Sequence, residues 1–330
     1  MRRVSIAEIM AHTGLSRATV DRVLNGRGSV HQRTRLVVDE ALQRLRAPSS
    51  SAIQRPRADM VMRVGRGMSG QLRAAWEVAA PDGALHDLYQ SDEAALEAVV
   101  AGLCDTPDRP LIIIARNSDR LVNMLRDARQ KGKRIIAMVS DLDPAARDGF
   151  AGIDDRAAGQ TAAFLIGRTL GDRPTPVGVV VGDSAFRCHE DREIGFRTCL
   201  RGHFPKVVLA GEAYGHDHPA DTREAVLKLL REQPALGAIY NVGAGNMGLV
   251  DAVKTAGRSE DLLVVCHEVN RITAPLLRDE LVHFAIAGDP RAQLAEALRL
   301  ATVERPEALR ETLHLNFAVY TRFNLPDFSN

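Results

Sequence analysis

Side chains able to hold a small polar molecule recur in this chain at one kind of place, directly after a short apolar run. Arg116 follows the run at 111–115, Ser140 and Asp141 follow 135–139, Asn241 and then Asn246 follow 238–240, and His267 and Glu268 follow 262–266. Carboxylates accept, guanidinium groups donate and amides do both, so such a set can hold neighbouring hydroxyls in paired hydrogen bonds, as sugar or polyol recognition requires. Two further segments, Cys188-His189-Glu190 and Cys266-His267-Glu268, carry zinc-ligating and nucleophilic residue types. Adjacent residues on one chain rarely point the same way, and neither cysteine has an obvious orienting partner or oxyanion loop. No metal, no cofactor and no catalytic role is therefore expected. Aromatic residues make up only 4% of the chain, and Trp76, Tyr89, Phe186 and Tyr240 are open to either use, stacking on a ligand or filling the core.

The apolar runs imply the scaffold. They fall at 60–64, 111–115, 135–139, 177–181, 238–240, 262–266 and 282–287, separated by amphipathic helical stretches. Such alternation predicts parallel sheets covered by helices on both faces, an α/β class. About 270 residues is large for one open sheet, so two similar lobes with a cleft between them fit best, with polar loops converging at the carboxyl ends of the strands. At 330 residues, 45% hydrophobic and 26% charged, the chain is ordinary globular material. Its four cysteines lie far apart with no CxxC pair, which predicts reduced thiols and no disulfide framework.

The first 46 residues read differently, as three short helices. Ser5 and Glu8 have capping-box spacing before a helix from about 6 to 12, Gly14 ends it, and Ser16 can cap a second helix with Val20, Val23 and Leu24 on one face. A third is expected from about 32 to 46, with Leu36, Val37, Ala41 and Leu45 inward, and the Pro- and Ser-rich stretch 47–57 reads as a linker. Residues 1–57 hold 11 Arg against 4 Asp and Glu, a net of +7, which leaves −6 for the rest of a chain whose total is +1. A basic head on an acidic body suggests that the head alone meets a polyanion.

The segment 4–26, with Gly14-Leu15-Ser16, Thr19-Val20, Arg22-Val23-Leu24-Asn25 and then Thr34-Arg35, resembles the DNA-binding head of the LacI (lactose repressor) family. The remainder resembles that family's type I periplasmic-binding-protein body. The resemblance implies a helix-turn-helix whose second helix reads the major groove, through Arg17 and Arg22 as donors to guanine and Ala18 as a methyl contact. Ser16, Thr19, Asn25 and Thr34 would hold phosphates, Ser5 is a further DNA-binding candidate, and Ile53 is the one sizeable apolar candidate for a minor-groove wedge. Asp21 departs from the family's usual Ser, and no family hinge helix is legible in the linker. In the body, the resemblance implies that Arg192 clamps the ligand from a helix start, that the carboxylates of Asp154-Asp155-Arg156-Ala157-Ala158-Gly159, with Asp154 as the ligand candidate, line or support the cleft, and that Glu268 stands where sugar-binding relatives place an aspartate. Gly288 replaces a family glutamine.

The expected organisation is thus a helix-turn-helix domain at 1–46, a linker or hinge at 47–57, and an effector-binding and dimerisation domain at 58–330. Lobe 1 would take 58–155 and 289–318, and lobe 2 would take 156–288 and 319–330. The expected function is a ligand-responsive transcriptional regulator, a repressor, with a partly palindromic double-stranded DNA operator, a sugar or polyol effector and a homodimer or dimer of dimers as partners. Helices near residues 72–80 and 96–103 would carry the dimer surface. Without an apolar leader or an 18-residue apolar span, no membrane is expected and the cytoplasm is the expected location. The alternative is a solute-binding protein of a transport or sensing system, which would share the cleft.

Overall fold

In the computed structural model the described residues are 5–13, 15–24, 34, 38, 56–79, 81–182, 185–303 and 314–328. Asn25, Ile53, most of the expected third helix and nearly all of the linker lie outside them. The chain divides into two compact units, Met1–Gln54 and Arg55–Asn330. In the first, α1 (Ile6–Thr13) and α2 (Arg17–Leu24) are held together by Ile9, Val20 and Val38, all fully buried. Ser16 caps α2, since its Oγ accepts from Thr19 N at 3.3 Å and lies 2.9 Å from Thr19 Oγ1.

The second unit contains two sheets. The first takes β1 (Asp59–Met62), β2 (Leu85–Asp87), β3 (Leu111–Ile114), β4 (Ile135–Met138) and β5 (Gly149–Ala151) in the order β2-β1-β3-β4-β5, parallel throughout. Every residue of β1, β3 and β4 is buried, as strands with helices on both faces require. Alternate side chains serve opposite layers. Met60, Met62, Ile112 and Ile114 meet α3 (Arg66–Ala79) and α11 (Pro290–Thr302), while Val61, Leu111 and Ile113 meet α4 (Glu93–Cys104) and α5 (Asp119–Gln130). Leu72 and Leu96, on the helices expected to carry a dimer surface, are spent in these cores.

The second sheet runs β11-β10-β9-β8-β6-β7, from β6 (Thr175–Val181), β7 (Val207–Tyr214), β8 (Ala238–Asn241), β9 (Leu263–His267), β10 (Phe284–Gly288) and β11 (Phe317–Tyr320). Only β11 is antiparallel, to β10. One face carries α6 (Asp155–Leu170) and α7 (Arg187–His203), the other α8 (Pro219–Glu232), α9 (Asn246–Thr255) and α10 (Thr273–Arg278). Two glycines let α6 and α7 approach closely. A Cβ on Gly159 would stand 1.9 Å from Arg192 O, and one on Gly195 would stand 2.1 Å from Arg156 O. The chain passes between lobes beside Ile153, Gly288 and Leu315: Leu315 N donates to Gly152 O at 2.9 Å, and a Cβ on Gly288 would meet Ile153 Cγ2 at 2.7 Å. β11 joins the second sheet from Phe317, so the last passage falls just before the expected boundary at 318. No helix among the described residues is long and apolar enough to cross a membrane.

Candidate functional site

The carboxyl ends of β1, β3 and β4 face those of β6, β8 and β9 across a cavity of about 380 Å³. Its centre on the second lobe is Arg192, one turn into α7 and 3% exposed. Arg192 Nε donates to Asp155 Oδ1 at 2.8 Å, one terminal nitrogen donates to Val242 O at 3.0 Å, and the other faces Glu268 Oε1 at 3.5 Å. The close crossing of α6 and α7 puts Asp155, at the start of one helix, beside Arg192 on the other. Burial alone would weaken the Arg192 charge, but Asp155, Cys188, Glu268 and Tyr240 together outweigh it and keep the guanidinium protonated. Burial raises the Asp155 carboxyl to about 6 against the pull of Arg192, and it raises Glu268 in the same way. His267, fully buried, is driven to its neutral form by burial and by the Arg192 charge, and its Nε2 lies 2.6 Å from Tyr240 Oη.

Around this centre Asn246 reaches His267 O at 3.3 Å and accepts from Asn241 Nδ2 at 2.8 Å. His189 Nδ1 lies 3.7 Å from Asp217 Oδ2. Burial favours a neutral His189, yet the adjacent Cys188 and the Asp217 carboxylate together hold it up at about 9. The first lobe contributes Arg66, Gly67, Arg116, Ser140 and Tyr89. Its contacts with the second lobe are direct. Gln71 Nε2 donates to Val269 O at 2.9 Å, Asn117 N to Ala185 O at 2.8 Å and Cys188 N to Ser140 Oγ at 3.3 Å, so the lobes are closed on each other. Val139, His216, Asp217 and Glu268 line or border this space with φ of 64°, 50°, 60° and 68°. Left-handed backbone at non-glycine residues is costly, most of all for a β-branched valine, and concentrates where function demands it.

Of the residues singled out in the sequence, Arg116, Ser140, Arg192, Asn246, His267 and Glu268 line the cavity. Three do not. Asp141 turns to Arg147, with oxygens 2.5 and 2.6 Å from its guanidinium. Asp154 caps α6 through Ala157 N at 2.9 Å, leaving the inner position to Asp155. Asn241 braces the loop through Ala244 O and Asn246 rather than facing the cavity. Among the rings, Phe186 and Tyr89 are at the cavity, whereas Trp76 and Tyr240 are core. Sequence reasoning passed over Arg66, His189, Asp217 and Asn270 as ligand contacts. Arg66 follows the run 60–64 and was available to the same rule that selects Arg116. Asp217 follows β7, an edge strand whose burial is interrupted and whose apolar signal is correspondingly weak. In the N-terminal unit, Ser16 and Thr19 are engaged in the cap of α2, Arg17, Arg22 and Ser5 are exposed, Thr34 is half-buried and Ala18 lies within α2.

This architecture is that of a two-lobed binding protein with its ligand space between one parallel and one mainly parallel sheet. The chain belongs to the periplasmic binding protein domain family, whose model matches residues 90–303. Solved structures with the same fold include GanP, a glucose-galactose binding protein from Geobacillus stearothermophilus, 14% identical with TM-score 0.72 over 82% of this chain and 99% of that one. A transporter solute-binding protein from Burkholderia graminis, in complex with D-arabinose, is 16% identical with TM-score 0.73 over 82% and 97%. Another, from Actinobacillus succinogenes with bound D-allose, is 17% identical with TM-score 0.70 over 81% and 98%. Among curated proteins none matches.

These findings correct the leading expectation. The matched family and the solved neighbours are solute-binding proteins, several of them parts of sugar transporters, and they favour the solute-binding alternative over a DNA-binding LacI-type repressor. The DNA operator and the cytoplasmic location expected with it give way likewise, since the matched family is a periplasmic binding protein domain and the neighbours are sugar-binding and transporter solute-binding proteins.

Proposed function

We propose that the body is a solute-binding module of a transport or sensing system, and that its cleft takes a small polyhydroxylated molecule of the sugar or polyol class. The observation that carries this reading is the pairing of Arg192 with Glu268 in the cavity wall, donor beside acceptor, with Asp155 fixing the arginine from behind. Such a pair serves vicinal hydroxyls, each of which donates and accepts. Asn246 and Asn270 offer amides from the same lobe, and Ser140 and Arg116 offer donors from the other. Closing two lobes around a polar solute replaces its hydration shell with fixed partners, and the 380 Å³ space suits a small molecule. Asp141, Asp154 and Asn241 support this wall without touching the solute. Ahead of the body, α1 and α2 with their Ile9 and Val20 core support the helix-turn-helix shape that the sequence pattern resembles, while the function proposed for the chain rests on the cleft. Thermal shifts of the whole chain against pentoses, hexoses, inositols and alditols test the reading. A saturable rise in melting temperature with a member of this panel is expected, and the rise should be abolished in Glu268→Ala. A uniform lack of response across the panel would remove the sugar or polyol class.

A further inference from the structure

Apart from α10, whose first amides donate to Asn270 Oδ1, the helices that open into the cavity start differently from those that do not. Away from it, α4, α5, α6 and α11 are each capped by a side chain of their own: Asp92 on Ala95 N at 2.8 Å, Ser118 on Leu121 N at 3.3 Å, Asp154 on Ala157 N at 2.9 Å and Asp289 on Arg291 N at 2.9 Å. At the cavity, α7, α8 and α9 start from Phe186, His218 and Gly245, none of which caps its own helix, and Ser140 Oγ of the other lobe accepts from Cys188 N in the first turn of α7 at 3.3 Å. α3 also starts there, with Gly65-Arg66-Gly67 in the wall. Each helix start carries amide donors and about half a positive charge, so several of them around one space favour an anion.

The side chains lean the same way. Met62 and Ile114 pair on adjacent strands, so Arg66 and Arg116 leave the first sheet from neighbouring ends. Arg66 is exposed and has no ion pair among the described residues. The Arg116 guanidinium lies 5.9 Å from the centre of the Phe186 ring. Among the described lining residues the carboxylates are Glu268 and Asp217, and both are engaged. Glu268 faces Arg192, and Asp217 accepts from Ala244 N at 2.8 Å beside His189. Arg66 and Arg116 are cationic groups of the wall beyond the two that face its carboxylates, Arg192 and His189, so cationic donors outnumber carboxylates there.

We infer that the ligand is a polyhydroxylated carboxylate, a sugar acid of the uronate or aldonate type. Its acid group meets Arg66, Arg116 and the start of α3, and its hydroxyls meet Arg192, Glu268 and Asn246. This rests on the solute-binding reading above and narrows it to an anion. A sugar phosphate shares the anionic chemistry, so the test separates the two.

Titration calorimetry on the full chain compares matched sets in the gluco, galacto and arabino series: neutral sugar, uronate or aldonate, and sugar phosphate, with acetate and inorganic phosphate as controls. The expected result is a sugar acid bound at least about tenfold more tightly than its neutral congener, with a ratio that shrinks in Arg66→Gln and in Arg116→Gln and falls with added salt. Equal affinity for acid and neutral congener overturns the inference and leaves the polyol reading standing. Preference for the sugar phosphate overturns the carboxylate. Binding of acetate or inorganic phosphate as tightly as the sugar acid, with no neutral sugar bound, overturns the polyol reading, and no binding in any series overturns both.

Discussion

The two walls of the cleft are built on different principles. On the second lobe, Arg192, Asp155, His267 and Asn246 are all buried and wired to one another before any ligand arrives. On the first lobe, the wall is a glycine-rich helix start and three arginines, Arg63, Arg66 and Arg116, with Arg66 exposed and Arg63 tied off to Glu93 at 2.8 Å. A prewired wall loses little freedom on binding and so supplies affinity, whereas a looser wall responds to which ligand is present and whether the lobes close on it. The second lobe should therefore be intolerant of change in folding and binding alike, and the first should alter binding with little effect on folding.

The largest expected effect lies at Arg192. Replacing it with Ala leaves Asp155 buried without its partner, at a cost of about 3 to 5 kcal/mol, read by urea unfolding of the chain. Adding Asp155→Asn should recover part of that loss. Equal stability of Arg192→Ala and wild type would break the contrast between the walls.

Gly67→Ala probes the other wall. A Cβ there would stand 2.3 Å from Asn270 Nδ2, and Asn270 cannot yield easily because its Oδ1 accepts from Ile272 N at 2.8 Å and Thr273 N at 3.2 Å. Ligand affinity should drop about tenfold by calorimetry, while unfolding stability without ligand stays within about 1 kcal/mol of wild type, since Ala favours a helix. Adding Asn270→Ala should restore closure in part.

A smaller effect belongs to pH. The Asp155 carboxyl is raised from 3.8 to about 6, so between these values the folded chain holds a proton that the unfolded chain has lost. Its contribution to stability is greatest below about pH 4, falls as pH rises to about 6 and is flat above. Melting curves from pH 4 to 7 should show this slope in wild type and a shallower one in Asp155→Asn. The smallest effect is expected at Asp141, whose pairing with Arg147 turns it from the cavity. Asp141→Asn should leave ligand affinity unchanged and cost about 1 kcal/mol or less in stability.

The same contrast separates what was legible in the sequence from what was not. Strands buried on both faces, such as Leu111–Ile114 and Ile135–Met138, print as unbroken apolar runs and were readable at once. Val207–Tyr214 was not, because an edge strand with a register shift opposite Val177 and Gly178 mixes buried and exposed positions. Three-residue strands such as Leu85–Asp87 are too short to show a period. At the site, polar residues that end a strand were visible as candidates, but only packing chose among them. The glycine crossing of α6 and α7 brought Asp155 rather than Asp154 to Arg192, and the Arg147 side chain drew Asp141 away. The N-terminal pattern was the most legible stretch of the chain and led furthest from the function that the comparisons favour.

In the function we propose, a small polyhydroxylated ligand is held between the lobes by Arg192 and Glu268. A crystal structure of the chain grown with whichever sugar, polyol or sugar acid gives the largest thermal shift tests it most directly. Ligand density is expected in the cleft, with hydroxyls within hydrogen-bond distance of the Arg192 guanidinium and the Glu268 carboxylate. Density for that ligand elsewhere on the protein, with the space beside Arg192 filled by water alone, would contradict it.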